Sequence, residues 1–333
     1  MRKILGLILA LTLVASFAYA GGSREAAGSR QEATLRFAHV YQPTHSFSDG
    51  AKRIAEVARE KSGGRLTINE FPAGQLGSEK DITDNAVQGD IEMVISGPGE
   101  IGKRYTPVLI FEGSFLLSGY DHAQRVLTGP IGQELWAECL RATGLRNLVT
   151  LYYGTRHVTS NRPVRSPADM QGMKLRAPDM PMSIANTRAM GANPTPMALS
   201  EVYLALQQNV VDGQENPIPT IYTQRFYEVQ RYINLTGHIF QLTPVFINER
   251  VYQSLSPELQ RALSDAVTEV APSIDKAIID DEQNLLEEMR SRGMQVINPD
   301  VAAFVQATAV VYTDPALASN WGPDLYGRIQ ALR

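Results

Sequence analysis

The feature that most constrains the fold is a regular alternation of strand-like and helix-like patterns that begins at Leu35. The strand-like segments alternate apolar and polar residues with a period of two, and the helix-like segments have an apolar face and end at glycine. This alternation predicts an α/β fold with a mostly parallel sheet and helices on its faces. The predicted strands cover residues 35–39, 65–71 and 91–95, and the predicted helices cover 48–62, capped by Ser48 or Asp49, and 78–89, opened by a capping box at Ser78.

A second series of the same kind begins near Gly154. Two α/β units in one chain predict two lobes with a cleft between them, and ligands of open α/β sheets bind beyond the carboxyl ends of the strands. Its predicted strands cover 174–176, 194–197 and 210–213, and its predicted helices cover 182–190 and 200–208, the latter capped by Ser200.

The longest predicted helix begins with Ser256 as its N-cap and Pro257 at the first helical position. It ends near Arg292, before Gly293, and at 1.5 Å per residue it is roughly 55 Å long. Because this length exceeds the diameter of one lobe, we expect the helix to span both lobes, with a kink at Pro272.

The first twenty residues have the pattern of a signal peptide. Arg2 and Lys3 precede an apolar segment over 4–17, and small residues end at a cleavage point after Ala20. The alternative is a buried N-terminal helix. Residues 21–33 are rich in Gly, Ser, Ala and charge without periodicity, which predicts a flexible leader. We therefore expect an exported, periplasmic protein.

Composition excludes several other classes of protein. The net charge of −4 disfavours nucleic-acid binding, and motifs for nucleotide binding, serine hydrolysis or zinc proteolysis are missing from the sequence. His39 and His45 lie six residues apart, and satisfied histidines are a better interpretation than a metal site. Cys139 has no partner for a disulfide, and its spacing from Leu135 predicts a buried thiol on a helix. We expect no cofactor and no metal.

Ordered sequence blocks across the chain closely resemble the periplasmic solute-binding proteins of TRAP transporters, the DctP family. Such proteins have a two-lobe, Venus-flytrap fold, close on an organic acid and deliver it to the membrane components of the transporter. The blocks are PAGQLGSEKDI from Pro72, GTR at 154–156, TSNRP at 159–163, PADMQGMKLRAP at 167–178, MGANPTPMALSEVYLALQQNVVDGQENP at 190–217, and SPEL at 256–259.

The resemblance implies discontinuous lobes and a set of substrate-binding residues. Lobe I would comprise 34–153 and 242–281, and lobe II would comprise 154–241 and 282–333. Arg176 matches the arginine that grips the substrate carboxylate, for which a planar guanidinium is the matching bidentate group. The remaining candidates by resemblance are Arg156, Asn216, Glu215, Glu79, His39 and Asp179.

The sequence departs from its relatives where the rest of the ligand would bind. Leu199 replaces a phenylalanine that many relatives have, and Gly97, Glu100 and Asp179 replace side chains of the sialic-acid binders. Sialic acid is therefore disfavoured, and we favour a sugar acid such as a uronate, then a C4-dicarboxylate, then an aromatic acid. The alternatives to a monomeric transport protein are a periplasmic lyase or isomerase with His39 as its base, and a receptor subunit that senses the ligand.

Overall fold

A nine-stranded mixed sheet runs through the part of the chain that is described. The computed structural model describes residues 31–333, which form one unit, so the predicted signal peptide and most of the predicted leader lie outside the described residues. Ala33, which was assigned to the leader, is the first residue of a strand. The strands are β1 Ala33–Ala38, β2 Leu66–Phe71, β3 Met93–Ile95, β4 Leu145–Ser160, β5 Lys174–Ala177, β6 Asn193–Pro196, β7 Gly213–Pro217, β8 Tyr232–Asn248 and β9 Gln295–Ile297.

The sheet is mixed because two long antiparallel strands, β4 and β8, lie at its centre. Its order is β2-β1-β3-β8-β4-β7-β5-β6, with β9 beside β8. The short strands pair in parallel with one another, as the alternating pattern predicts, whereas β3 and β7 pair antiparallel with the long strands. The sequence prediction missed both long strands, which connect the two α/β units into one sheet.

Thirteen α-helices in the described residues cover the sheet or continue from its strands. They are α1 Ser46–Lys61, α2 Glu79–Gln88, α3 Pro98–Ile101, α4 Tyr120–Thr128, α5 Pro130–Thr143, α6 Pro181–Ala189, α7 Val202–Gln207, α8 Ile218–Thr223, α9 Glu249–Ser254, α10 Pro257–Ser291, α11 Val301–Thr308, α12 Pro315–Ala318 and α13 Gly322–Gln330. Within residues 31–333, no helix has both the length and the apolar character that crossing a bilayer requires.

The long predicted helix is confirmed as α10, which continues through Pro272 for 35 residues. Ser256 accepts a hydrogen bond from the backbone of Leu259 and caps its start, as its sequence predicts. The apolar stripe of α10 packs on α1 so closely that a Cβ at Gly50 would lie 2.4 Å from Cδ1 of Ile274. The kink at Pro272 remains a prediction.

At the other helices, some predictions of helix caps and buried residues were confirmed and others were wrong. The capping box at Ser78 is confirmed, and Cys139 is buried in α5, where burial raises the pKa of the thiol to about 11. The N-cap of α1 is His45 rather than Ser48 or Asp49, since His45 accepts a hydrogen bond from the backbone of Phe47.

The start of α7 also differs from the prediction. A 3₁₀ turn over Leu199–Glu201 precedes it, and the Glu201 carboxylate accepts from the backbone of Ala198, so Ser200 is not the cap.

The C-terminal residues pack against the part of the chain that forms α4 and α5. His122 Nε2 lies 2.9 Å from the carbonyl oxygen of Ile329, and Arg328 pairs with Glu134. Trp321 and Ile329 belong to the same buried cluster as Leu135 and Cys139. Residues 321–333 therefore contact a region that the domain prediction assigned to lobe I, and the lobe boundaries themselves remain a prediction.

Candidate functional site

A cavity of about 610 Å³ lies among residues contributed by both α/β units. Its wall includes the segment ends that follow β1, β3, β5 and β6, together with residues of β4, β7 and β8. Five of the seven substrate-binding residues suggested by resemblance line it, namely Arg156, Arg176, Asn216, Glu79 and Asp179. The other two, Glu215 and His39, lie outside the cavity wall.

Three neighbouring strands bring the two arginines and the amide together. In the sheet β7 lies between β4 and β5, so Arg156 of β4 pairs opposite Pro217, and Arg176 of β5 pairs opposite Gln214. Side chains two residues apart on a strand share a face, so Gln214 and Asn216 of β7 lie on the face of Arg176. The long guanidinium of Arg156, on the neighbouring strand, reaches Asn216 Oδ1 at 3.2 Å.

Arg176 is a buried cation without an acidic partner. Its side chain is 3% exposed, and Nε and Nη2 donate to the carbonyl oxygen of Met197 at 3.2 and 2.9 Å. Across residues 31–333 it forms no ion pair, and burial lowers the pKa of its guanidinium to about 10, so the group stays charged at neutral pH. A buried charge of this kind is complementary to an anion that enters the cavity.

The Arg156 guanidinium lines the cavity and forms an ion pair with Glu215, whose carboxylate lies outside the cavity wall. Its Nη2 lies 2.8 Å from Oε1 of Glu215, and its Nε contacts Oε2 of the same carboxylate. Burial alone would raise the pKa of Glu215, but the Arg156 guanidinium and the ring of His238, 3.1 Å from Oε2, hold it at about 2. Glu215 is therefore ionised and orients Arg156 rather than lining the cavity.

Asn216 and Tyr153 continue this network on the cavity wall. Oδ1 of Asn216 accepts from Arg156 Nη2 at 3.2 Å, and its Nδ2 donates to Gln214 Oε1 at 2.6 Å. The Tyr153 hydroxyl lies 2.8 Å from Oγ1 of Thr220 and 3.4 Å from Oδ1 of Asn216. These bonds fix the amide orientation before any ligand binds.

Acidic groups line another part of the same cavity. Oε1 of Glu79 accepts from the backbone of Gly97 at 2.7 Å, and burial raises the pKa of this carboxyl, with a further contribution from Glu112. Glu112 is 5% exposed, and burial likewise raises its pKa. Carboxylates beside an anion site serve as acceptors for hydroxyl or amine groups of a ligand.

Charged side chains surround the remaining wall of the cavity. Asp179 is exposed, whereas Glu100 is buried and lies 2.9 Å from Nζ of Lys103. Leu199 lines the cavity, and Tyr41 and Tyr153 supply aromatic rings elsewhere on the wall.

His39 is buried beside the cavity in a structural contact. Its Nε2 lies 3.0 Å from Oε1 of Glu70, which also accepts from Ser48, and its Nδ1 has no partner among the described residues. Since it does not line the cavity, it is not in position to contact a ligand there.

Glu112 and Gln241 are among the wall residues that the sequence analysis did not identify. Glu112 ends an apolar run over 108–111, and a carboxylate in such a run is a signal that could have identified it. Gln241 lies in β8, which the sequence analysis did not predict, so no local spacing indicated it.

The geometry suits an anionic organic molecule. Arg176 presents free donors, Arg156 and Asn216 present oriented ones, and the carboxylates can accept hydrogen bonds from the rest of the molecule. Residues 31–333 contain no cluster of three or more His, Cys, Asp or Glu side chains that could hold a metal ion.

Comparison with known proteins gives consistent matches over most of the chain. Residues 37–317 match the family model of bacterial extracellular solute-binding proteins, family 7, DctP. The sialic acid-binding periplasmic protein SiaP of Vibrio cholerae is 34% identical over 287 residues, covering 85% of this chain and 88% of SiaP. The 2,3-diketo-L-gulonate-binding periplasmic protein YiaO of Escherichia coli is 34% identical, covering 82% of this chain and 84% of YiaO.

A solved structure shows the same fold. A TRAP periplasmic solute-binding protein of Roseobacter denitrificans, with bound 3-deoxy-D-manno-oct-2-ulosonic acid, is 30% identical and has a TM-score of 0.86. The alignment covers 91% of this chain and 100% of that one. Together with the mixed sheet and its central long strands, these matches confirm the predicted two-lobe fold. This chain belongs to the DctP family of bacterial extracellular solute-binding proteins, family 7.

Proposed function

We propose that this protein captures a hydroxylated organic-acid anion outside the cytoplasm and delivers it to the membrane components of a TRAP transporter. The observation that carries the proposal is the buried guanidinium of Arg176, which lines the cavity without an acidic partner among residues 31–333. A carboxylate ligand supplies the missing counter-charge. The ligands named for SiaP, YiaO and the Roseobacter protein are all sugar acids, which supports a sugar acid over a simple dicarboxylate.

Arg176 and Arg156 hold the ligand carboxylate in this proposal. Two parallel hydrogen bonds from a guanidinium to a carboxylate contribute about 1.5–3 kcal/mol each when water is excluded. A micromolar complex requires roughly 8 kcal/mol in total, so the clamp supplies a large share and the remaining wall supplies the rest. Asn216, Glu79 and Asp179 contact other ligand oxygens, whereas Glu215 acts through Arg156.

Binding follows a cycle of opening and closure between the two lobes. The lobes comprise 34–153 with 242–281, and 154–241 with 282–333, except that the C-terminal helix α13 moves with α4 and α5. The ligand shifts the population towards the closed form only through contacts that closure adds. The protein works as a monomer without a cofactor, in the periplasm, after a signal peptide is cleaved behind Ala20.

A thermal-shift screen followed by calorimetry tests the proposal. At 100 times its dissociation constant, a ligand adds about 2.7 kcal/mol to the free energy of unfolding. We expect such stabilisation from at least one sugar acid, with the ligand recovered unchanged after release. A complete lack of response to organic acids contradicts the proposal, and conversion of the ligand into a product supports the enzyme alternative.

A further inference from the structure

Glu112 and Gln241 meet on the cavity wall although they are far apart in sequence. Gln241 Nε2 donates to Oε1 of Glu112 at 2.8 Å, and the two residues are 3% and 5% exposed, respectively. Gln241 lies on β8, and Glu112 ends a 3₁₀ helix over Thr106–Glu112. Neither residue forms a hydrogen bond with Arg156 or Glu215, although Arg156 is close enough to oppose the effect of burial on the pKa of Glu112.

This contact fixes the orientation of the Gln241 amide. Its nitrogen must face the Glu112 carboxylate, and it also donates to the carbonyl oxygen of Leu242 at 3.1 Å. The amide oxygen is then left buried without a hydrogen-bond partner in the described part of the chain. A buried acceptor without a donor is unfavourable, so a ligand donor that reaches this oxygen from the cavity would bind favourably.

Thr243 adds a second unsatisfied group on the same strand face. It lies two residues after Gln241, lines the cavity and is 1% exposed. Its Oγ1 makes no bond that meets hydrogen-bond geometry, although the Tyr41 hydroxyl is close enough to interact with it. The amide oxygen of Gln241 and the hydroxyl of Thr243 therefore both lack a hydrogen-bond partner among the described residues.

Glu112 gives this wall a further hydrogen-bond acceptor. Its Oε1 accepts from the backbone of Gly99 at 3.1 Å and from Gln241, whereas its Oε2 receives no donor from residues 31–333. Glu112 is also close enough to Glu79 to contribute to the raised pKa of that carboxyl, after burial. A second ligand carboxylate at this wall would face acceptor oxygens that cannot donate to it, whereas a hydroxyl group can donate to them.

We infer that Glu112 and Gln241 form a hydroxyl-recognising subsite, through which the cavity selects hydroxylated monocarboxylic acids against dicarboxylic and unsubstituted acids. The inference rests on the proposed function, because it takes the arginines as the carboxylate site. A site built to bond a hydroxyl group strongly rejects an analogue that lacks it, since its buried polar groups then stay unpaired.

Calorimetry with acids of matched chain length tests the inference. The probes are erythronate, butanoate and succinate for four carbons, and galactonate, hexanoate and adipate for six. We expect at least one hydroxylated acid to bind 100-fold more tightly than both of its matched partners. Equal or tighter binding of succinate or adipate overturns the inference but leaves the proposed function intact. A lack of binding by every acid overturns both.

Two variants assign the selectivity to the subsite. Gln241→Met keeps the volume but removes the amide oxygen, and we expect at least tenfold weaker binding of the hydroxylated acid, or about 1.4 kcal/mol, with no change for unsubstituted acids. Glu112→Gln replaces an acceptor oxygen with an amide donor and should bring succinate or adipate at least threefold closer in affinity to the hydroxylated acid.

The control is Gln208→Met, at an exposed position after α7, which should bind as the parent protein does. Melting temperatures of the ligand-free variants identify any loss of folding. Equal losses for hydroxylated and unsubstituted acids in the folded Gln241→Met variant contradict the inference.

Discussion

The Arg156 guanidinium and the Glu215 carboxylate form a buried ion pair between neighbouring strands, with Nη2 of Arg156 2.8 Å from Oε1 of Glu215. The carboxylate is acceptor-only, and it takes bonds from both Arg156 and His238. Replacing it with a neutral group leaves a buried cation without compensation, which costs more than the pair itself contributes.

Glu215→Gln should therefore lower the free energy of unfolding by about 3–5 kcal/mol. Chemical denaturation of the ligand-free protein at neutral pH measures the change. Glu287→Gln is the matched control, because Glu287 is an exposed partner of Arg290 on α10 and should cost less than about 0.5 kcal/mol. If both substitutions lower the free energy of unfolding equally, the buried ion pair contributes no more to stability than the exposed one.

The same variant has a defined pH dependence. The pKa of Glu215 falls from an ordinary 4.5 to about 2 on folding, so its stabilisation is fully present above pH 4.5 and is lost as the pH falls towards 2. We expect the stability difference between the parent protein and Glu215→Gln to shrink progressively below pH 4.5. A difference that stays constant down to pH 3 contradicts this ionisation.

Arg176→Met should separate ligand binding from stability. It removes the guanidinium that holds the ligand, and we expect at least a 100-fold loss of affinity for any acid that stabilises the parent protein. Relief of a buried, unpaired charge offsets the lost hydrogen bonds to Met197, so the ligand-free free energy of unfolding should change by less than about 1.5 kcal/mol.

Arg176→Lys is the companion variant, because it keeps the charge but loses the planar fork. Its affinity should fall between those of Arg176→Met and the parent protein, as measured by calorimetry. Undiminished binding in Arg176→Met removes the carboxylate clamp from the proposal.

His45 and His157 predict how stability changes in mild acid. Burial is the main cause that lowers the pKa of each ring to about 3, from an ordinary 6.5. Below pH 6.5 the unfolded chain binds protons that the folded protein does not, so stability falls as the pH falls towards 3. Each ring contributes about 1.4 kcal/mol per pH unit in this window.

The double variant His45→Gln, His157→Gln isolates this effect from the carboxyl groups. Glutamine does not titrate, so the free energy of unfolding of the variant should fall less steeply with falling pH than that of the parent protein. The two slopes should differ by roughly 2.7 kcal/mol per pH unit between pH 6 and 4. Denaturation series at several pH values give both slopes, and parallel slopes contradict buried neutral histidines.

Gly50→Ala tests the contact between α1 and α10. The added Cβ would lie 2.4 Å from Cδ1 and 2.5 Å from Cγ1 of Ile274, and such overpacking costs about 1–3 kcal/mol. In an Ile274→Ala background the same change should become favourable by about 0.5–1 kcal/mol, through helix propensity alone. Gly327→Ala in α13 is the control, because a Cβ there meets nothing within 4 Å.

The sequence predicted short elements well where one local pattern decided them. The capping box at Ser78 needs only neighbouring residues, and the start of α10 needs only Ser256 and Pro257. The sequence analysis missed strand β4 because its period-two alternation of apolar and polar residues is interrupted. Gly154 has a φ of 118°, and the register with β8 shifts on both sides of it, so apolar residues change faces along the strand.

The residues of the candidate site also differ in whether the sequence could identify them. Arg156, Arg176 and Asn216 could be named because they lie in sequence blocks shared with a family. Gln241 could not, because it lies on a long strand that no local pattern predicted. Glu112 ends an apolar run, but its contact with Gln241 depends on the position of that strand. The position of Glu215 behind Arg156 follows from which way its side chain leaves β7, and the sequence does not give the partner it meets there.

The pairing of β3 with β8 also determines when this protein can fold. Val94 lies opposite Phe246, about 150 residues later in the chain, so the third strand has no neighbour on that side until β8 has left the ribosome. Contacts this distant in sequence form slowly, and the open edge persists throughout synthesis of the intervening segment. The native sheet therefore cannot be completed until the chain has been synthesised as far as Asn248, the last residue of β8.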